Sequence, residues 1–107
     1  MHRVDSTHPL CGTWVAQNRD QTEDYDRAEY QVSAAEGQFR VSGIDRADDE
    51  KFVISDVAWD GKVLTFKTLM PSTQRRGLMK MRIIDTNEIE TEFTFTVTEI
   101  WQRKMKF

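Results

Sequence analysis

Apolar and polar side chains alternate along most of this chain, and that period of two constrains its fold more than any other feature. The alternation runs without a fault over residues 38–42, 79–83 and 88–93. Side chains on a β-strand point to opposite faces in turn, so this pattern indicates strands with one buried and one solvated face. Half-buried strands of this kind pair antiparallel. The sequence therefore predicts an all-β protein.

Turn residues divide the alternating segments into eight predicted strands. Asp60-Gly61 lies between two apolar runs and is a strong hairpin signal. The expected strands are 11–17, 28–35, 37–43, 51–59, 62–70, 76–85, 87–94 and 96–104. Phe93, Phe95 and Val97 continue one alternation with no turn residue between them, so the boundary between the last two strands stays open. The polar connection 18–27 has room for a short helical turn.

Eight consecutive strands joined by short turns favour one architecture, an antiparallel eight-stranded up-and-down barrel. Such a barrel removes the exposed edges of an open sheet. A two-sheet β-sandwich is the alternative. The length of 107 residues suits a single domain covering 1–107, in which residues 1–10 can form a loose N-terminal segment.

The first and last predicted strands carry a resemblance to a known group. Gly12-Thr13-Trp14 resembles the Gly-x-Trp that opens the first strand of calycins, the group of lipocalins, fatty-acid-binding proteins and avidins. The resemblance implies a lipocalin-like barrel in which Trp14 closes one end and Arg103 packs over its ring. Gly12 would permit the close approach of the N-terminal segment, and a guanidinium over an indole gains cation–π attraction. The chain lacks the disulfide and the helices that many calycins carry, which puts a large lipid cavity in doubt.

The alternation also predicts which side chains face inward. An eight-stranded barrel is only just wide enough to be filled by side chains or to hold one small ligand. Both outcomes stay open, because bulky side chains favour a filled core whereas methionines favour an adaptable apolar site. The inward set is Trp14, Ala16, Tyr30, Val32, Phe39, Val41, Leu64, Phe66, Met79, Met81, Ile83, Ile89 and Phe93.

The segment from Trp59 to Arg76 is the best candidate for function. It joins a Trp beside a hairpin turn to a polar loop with two consecutive arginines, which could meet a carboxylate or phosphate at a barrel mouth. Alternatively, the loop is a solvated turn. The candidate ligand-binding residues are Trp59, Phe66, Met70, Arg75, Arg76, Met79 and Met81.

Charge and motif content narrow the function classes. Residues 1–61 hold 6 cationic and 13 anionic side chains, whereas residues 62–107 hold 9 and 5. The overall acidity argues against nucleic-acid binding, and no apolar run is long enough to span a membrane. His2, His8 and Cys11 do not make up a zinc site, and no catalytic or cofactor-binding motif is present. We therefore expect neither a metal nor a cofactor.

These observations lead to two functional hypotheses. The first is a non-enzymatic, cytoplasmic, lipocalin-like protein that binds a small apolar or amphipathic ligand at its open end. The second is a protein-interaction, inhibitor or assembly domain with a self-filled core and no small-molecule ligand. A single cysteine excludes an internal disulfide and favours the cytoplasm. Opposite charges in the two halves leave a homodimer open.

Overall fold

The computed structural model describes residues 3–16 and 28–104, and this part of the chain folds into two antiparallel four-stranded sheets. The first sheet contains β1 (Gly12–Val15), β2 (Ala28–Ala35), β3 (Gln38–Asp45) and β4 (Glu50–Lys51). The second contains β5 (Val53–Trp59), β6 (Leu64–Met70), β7 (Arg75–Asp85) and β8 (Glu88–Thr96). Each strand pairs with its neighbour in sequence, so both sheets are meanders. The prediction of an antiparallel all-β chain is confirmed.

Neither sheet closes on itself, so the structure shows two sheets rather than a closed barrel. This arrangement is consistent with the two-sheet sandwich. The sheets meet along β3 and β5. Within the described ranges no helix is present that is long and apolar enough to cross a membrane. The connection 18–27 and the end of the first predicted strand, Gln17, lie outside the described residues.

The predicted strand 51–59 is interrupted in the structure. β4 pairs with β3 over two residues, after which the chain passes through Phe52 and enters the second sheet as β5. The Phe52 N–H still donates to the Gly43 carbonyl at 2.9 Å, and this bond is where the β3 ladder ends. A register shift between Ser55 and Ala58 accompanies a left-handed backbone at Asp56, with φ 52°. A bulge of this kind bends a strand and increases its twist.

The last two predicted strands are one strand. β8 continues through Phe95, since no turn residue interrupts the alternation there, and ends at Thr96. Residues 97–104 form no strand. The long β7–β8 hairpin is held on its outer face by the ion pairs Lys80–Glu92 (3.7 Å) and Arg82–Glu90 (3.5 Å). Both pairs are largely exposed and contribute little to stability.

The core lies between the two sheets and agrees in most positions with the predicted inward set. Of that set, Trp14, Val41, Ile89 and Phe93 are half-buried, and Ala16 and Ile83 are exposed. Ile83 is exposed because it lies near the turn of the long hairpin, and Ala16 because it follows the end of β1. The buried apolar residues are Val4, Leu10, Ala28, Tyr30, Val32, Phe39, Leu64, Phe66, Met79 and Met81.

The N-terminal segment is part of this core. Val4 and Leu10 are buried, and the Val4 N–H donates to the Gly37 carbonyl at 3.1 Å. The His8 ring stacks edge-on against Phe39 and Trp59, with centroids 5.1 and 5.2 Å apart, and its Nδ1 accepts from the Leu10 N–H. The described residues 3–10 are therefore packed against the sheets. Irregular backbone carries no alternation, so this packing has no signal in the sequence.

Candidate functional site

An open cleft of about 520 Å³ lies along the β3–β5 seam, on the side away from Phe52. It is a typical size for a small-ligand site. The cleft forms because the chain links β3 to β5 at one end only, through β4 and Phe52. Past Gly43 the two strands separate, and the N-terminal segment covers part of the gap. The lining consists of Arg3, Val4, Glu36, Gly37, Gln38, Phe39, Arg40, Val41, Ile54, Val57 and Trp59.

The apolar part of the cleft comes from both sheets. Val41 of β3 and Ile54 of β5 are half-buried, and Val57 is exposed. Trp59 is half-buried, and its ring packs edge-on against Phe39 at 5.2 Å. Edge-to-face contacts hold aromatic rings in defined orientations. The cleft therefore has an apolar floor with a rigid aromatic group at one end.

Two arginines from different segments supply the positive charge of the cleft. Arg3 lies on the N-terminal segment, and its guanidinium packs so closely on Gly37 that a Cβ there would be 2.8 Å from Cζ. Arg40 lies on β3, and its Nη2 is 3.9 Å from the Glu36 Oε2. Both side chains are exposed, so water screens this ion pair strongly and Glu36 does not fully neutralise the charge of Arg40. Both guanidinium groups can contact an anion, since their planar donors match carboxylate geometry.

A clamp closes the opposite end of the seam. The Ser72 N–H and hydroxyl both donate to the Glu50 carboxylate, at 2.8 and 2.7 Å. Glu50 belongs to the first sheet and Ser72 to the β6–β7 turn of the second. At this end the main chain itself passes from the first sheet to the second at Phe52, and two charge-assisted hydrogen bonds also join the sheets.

A second, much smaller pocket of about 40 Å³ lies near the clamp. Its volume suits only one or two water-sized groups. Tyr30 and Thr68 contribute buried hydroxyl groups to its wall. Burial raises the pKa of the Tyr30 phenol well above its usual range. The full lining is Ala28, Tyr30, Phe52, Thr68, Met70, Arg75, Phe93 and Phe95.

The structure distributes the predicted ligand-binding residues over four places. Trp59 lines the large cleft. Met70 and Arg75 line the small pocket, where the Arg75 guanidinium lies 5.2 Å from the Phe95 ring centroid. Arg76 is exposed on β7. The remaining three, which are Phe66, Met79 and Met81, are buried in the core.

The three residues expected to close a barrel lie in two parts of the chain, β1 and the segment after β8. Gly12 begins β1 with φ +147°, and a Cβ there would meet nothing within 4 Å, so its backbone conformation rather than crowding favours glycine. Trp14 is half-buried, and its indole N–H donates to the Leu10 carbonyl at 2.8 Å. Arg103 is exposed beyond the end of β8. Within the described residues no cation–π contact joins Arg103 to Trp14.

Arg3 and Arg40 are the site residues that sequence reasoning missed. Arg40 alternates with Phe39 and Val41 and therefore reads as an ordinary solvated side chain on the outer face. Its position beside a cleft depends on where β3 and β5 separate, which no local pattern indicates. Among the described residues no group of three or more His, Cys, Asp or Glu side chains is placed to hold a metal ion.

No family model matches the chain, and no curated protein or solved structure is significantly similar to it.

Proposed function

We propose that this protein is a non-enzymatic binding module whose cleft between β3 and β5 takes an amphipathic ligand with an anionic group. One observation carries the proposal: the cleft of about 520 Å³ combines an apolar floor, an oriented Trp59 and the guanidinium groups of Arg3 and Arg40. Apolar walls with a few placed polar groups are typical of small-molecule sites. The ligand's apolar part would cover Ile54 and Val57, and its anionic group would contact the arginines.

We propose further that the two sheets form one calycin-like barrel that is split along its side. The order of the eight strands supports this, since consecutive antiparallel pairing is the connectivity of an up-and-down barrel. The interruption at Phe52 opens that barrel between β4 and β5, and a second opening lies between β8 and β1, which do not pair in the described part of the chain. Ligand access would then run through the side of the barrel at the β3–β5 seam rather than through the predicted mouth at Met70–Arg76.

Calorimetric titration with decanoate tests the binding function, with decanol as the uncharged control. Decanoate is expected to bind more tightly than decanol. The variant R3Q/R40Q should weaken decanoate binding by about tenfold, as loss of charge-assisted hydrogen bonds implies. The control R103Q removes an exposed arginine beyond the end of β8 that does not line the cleft, and it should leave binding unchanged. Equal binding of decanoate by R3Q/R40Q and R103Q would rule out the cleft as the anion site.

A second candidate function, self-association, is favoured by the segment after β8. Val97, Ile100 and Trp101 are 71%, 95% and 85% exposed. Clustered apolar exposure of this kind often marks an interface. The occupant we propose is a second copy of the chain, since β8 offers a nine-residue strand for isologous pairing. Light scattering should show a dimer that the variant I100S/W101S converts to a monomer. A monomeric parent chain would exclude this candidate.

A further inference from the structure

The edge of β3 that borders the cleft carries main-chain hydrogen-bonding groups without a strand partner. The Gly43 carbonyl accepts from Phe52 on the β5 side of β3. Main-chain groups along a strand alternate between its two sides, so those of Phe39 and Val41 point to the same side as Gly43. In the described residues no strand pairs with β3 on that side beyond β4, which faces only Ile44 and Asp45. The N–H and C=O groups of Phe39 and Val41 therefore face the cleft.

The N-terminal segment makes one main-chain contact just beyond this edge. The Val4 N–H donates to the carbonyl of Gly37, the turn residue that precedes β3. The Arg3 side chain lies directly over Gly37. One main-chain hydrogen bond is thus already made to a neighbouring segment, and the groups of Phe39 and Val41 are the next along the same edge.

We infer that the ligand class of the cleft is an extended acidic peptide that adds to the edge of β3 as a further strand. This inference rests on the binding function proposed above and specifies its ligand. Main-chain hydrogen bonds at Phe39 and Val41 supply affinity, as in other complexes formed by strand addition. The site is about five residues long, because the chain lines the cleft from Gly37, the turn residue before β3, to Val41.

Side-chain alternation sets the sequence preference of the peptide. Val41 faces the apolar floor, whereas Arg40 lies on the opposite face of β3. A strand beside β3 has the same two faces. Its inward side chains are apolar and cover Ile54 and Val57. Its outward side chains are acidic and form cross-strand pairs with Arg40, which favours opposite charge at that position.

The test uses the peptide acetyl-Val-Glu-Val-Glu-Val-amide and two analogues, one N-methylated at the valines and one at the glutamates. N-methylation removes the N–H donors from one edge of a strand and leaves every side chain in place. The full chain, labelled with nitrogen-15, is titrated with each peptide. We expect the parent peptide to bind and the amides of Phe39 and Val41 to gain protection from hydrogen exchange. One analogue should bind at least about tenfold more weakly, while the other should bind as the parent does.

Each outcome separates this inference from the proposed function. If decanoate binds and the peptide does not, the peptide inference fails and the amphipathic-ligand site stands. If both analogues bind like the parent peptide, strand addition is wrong even though the cleft accepts a peptide. If neither decanoate nor the peptide binds, both proposals fail. The variant R40Q should weaken binding of the parent peptide and R103Q should not, and equal effects would overturn the assigned pairing.

Discussion

The two ends of the β3–β5 seam differ, although the same two segments form both. At the Phe52 end, β4 continues the β3 ladder, and the Glu50–Ser72 clamp joins the sheets. At the Trp59 end, the strands separate around a cleft, and a few contacts from the N-terminal segment replace the ladder. The closed end joins the sheets, whereas the open end exposes main-chain groups and arginines. One seam therefore has inter-sheet hydrogen bonds at one end and an open cleft, the proposed binding site, at the other.

The largest expected effect on stability comes from truncating Phe66, a residue of the core between the two sheets. Phe66 is fully buried on β6, and its ring packs against Tyr30 of the other sheet at 5.4 Å. F66A should lower the free energy of unfolding by about 3–5 kcal/mol, the usual loss for a buried Phe. Urea denaturation measures it. A loss below about 1 kcal/mol would show that the two sheets do not share a core at this position.

Close packing at the closed end can be tested at Gly43. A Cβ on this residue would lie 2.7 Å from the Tyr30 ring and 3.0 Å from the Phe52 ring. G43A should therefore cost about 1–3 kcal/mol through overpacking. The matched control is V41A, a small apolar change on the same strand at the open end. A neutral G43A would mean that the sheets are loosely joined near Phe52.

Burial of Tyr30 makes the free energy of unfolding depend on pH. Its folded pKa is raised by burial, so the folded state favours the neutral phenol. That contribution is fully present below the unfolded pKa of about 10 and is lost as pH rises above it. Between pH 10 and 11 the free energy of unfolding should fall by up to about 1.4 kcal/mol more in the parent chain than in Y30F. Parallel slopes for the two proteins would place Tyr30 in contact with solvent.

Removing the Glu50–Ser72 clamp should have a smaller effect. E50A removes the acceptor of both Ser72 hydrogen bonds and should lower the free energy of unfolding by about 1 kcal/mol, because the Glu50 carboxylate is partly exposed. S72A removes only the hydroxyl donor and should cost less, while E88A on the hairpin should cost almost nothing. Thermal unfolding of the three variants ranks them. An E50A protein as stable as E88A would show that the Phe52 crossing alone holds the closed end.

The sequence predicts the strands better than it predicts where the chain passes from one sheet to the other. Alternation at Phe39 and at Met79–Met81 reports burial, because burial of one face is what selects the pattern. The break at Phe52 leaves no such mark, since an apolar residue continues the run and no turn residue signals the crossing. The bulge at Asp56 leaves no sequence signal either, because Asp adopts both left-handed and ordinary strand backbone and therefore indicates neither.

The residues of the candidate site are also predicted only in part, because local patterns do not report how distant strands are arranged. Trp59 could be selected as an aromatic residue beside a hairpin turn, and it does line the cleft. Met79 and Met81 were selected for adaptable side chains, yet they fill the core. Arg40 was missed because alternation assigns it only to an outer face. Whether an outer face borders solvent or a cleft depends on pairing between distant strands.

Hydrogen exchange at four consecutive amides of β3 tests the open seam most directly. The amides of Arg40 and Ser42 point toward β2, with which they pair opposite Ser33 and Gln31. The amides of Phe39 and Val41 point toward the cleft. We expect the exchange rates to alternate along β3, with slow exchange at Arg40 and Ser42 and fast exchange at Phe39 and Val41. Equal protection of all four amides would show that β3 is paired on both sides, and it would contradict an open cleft at this seam.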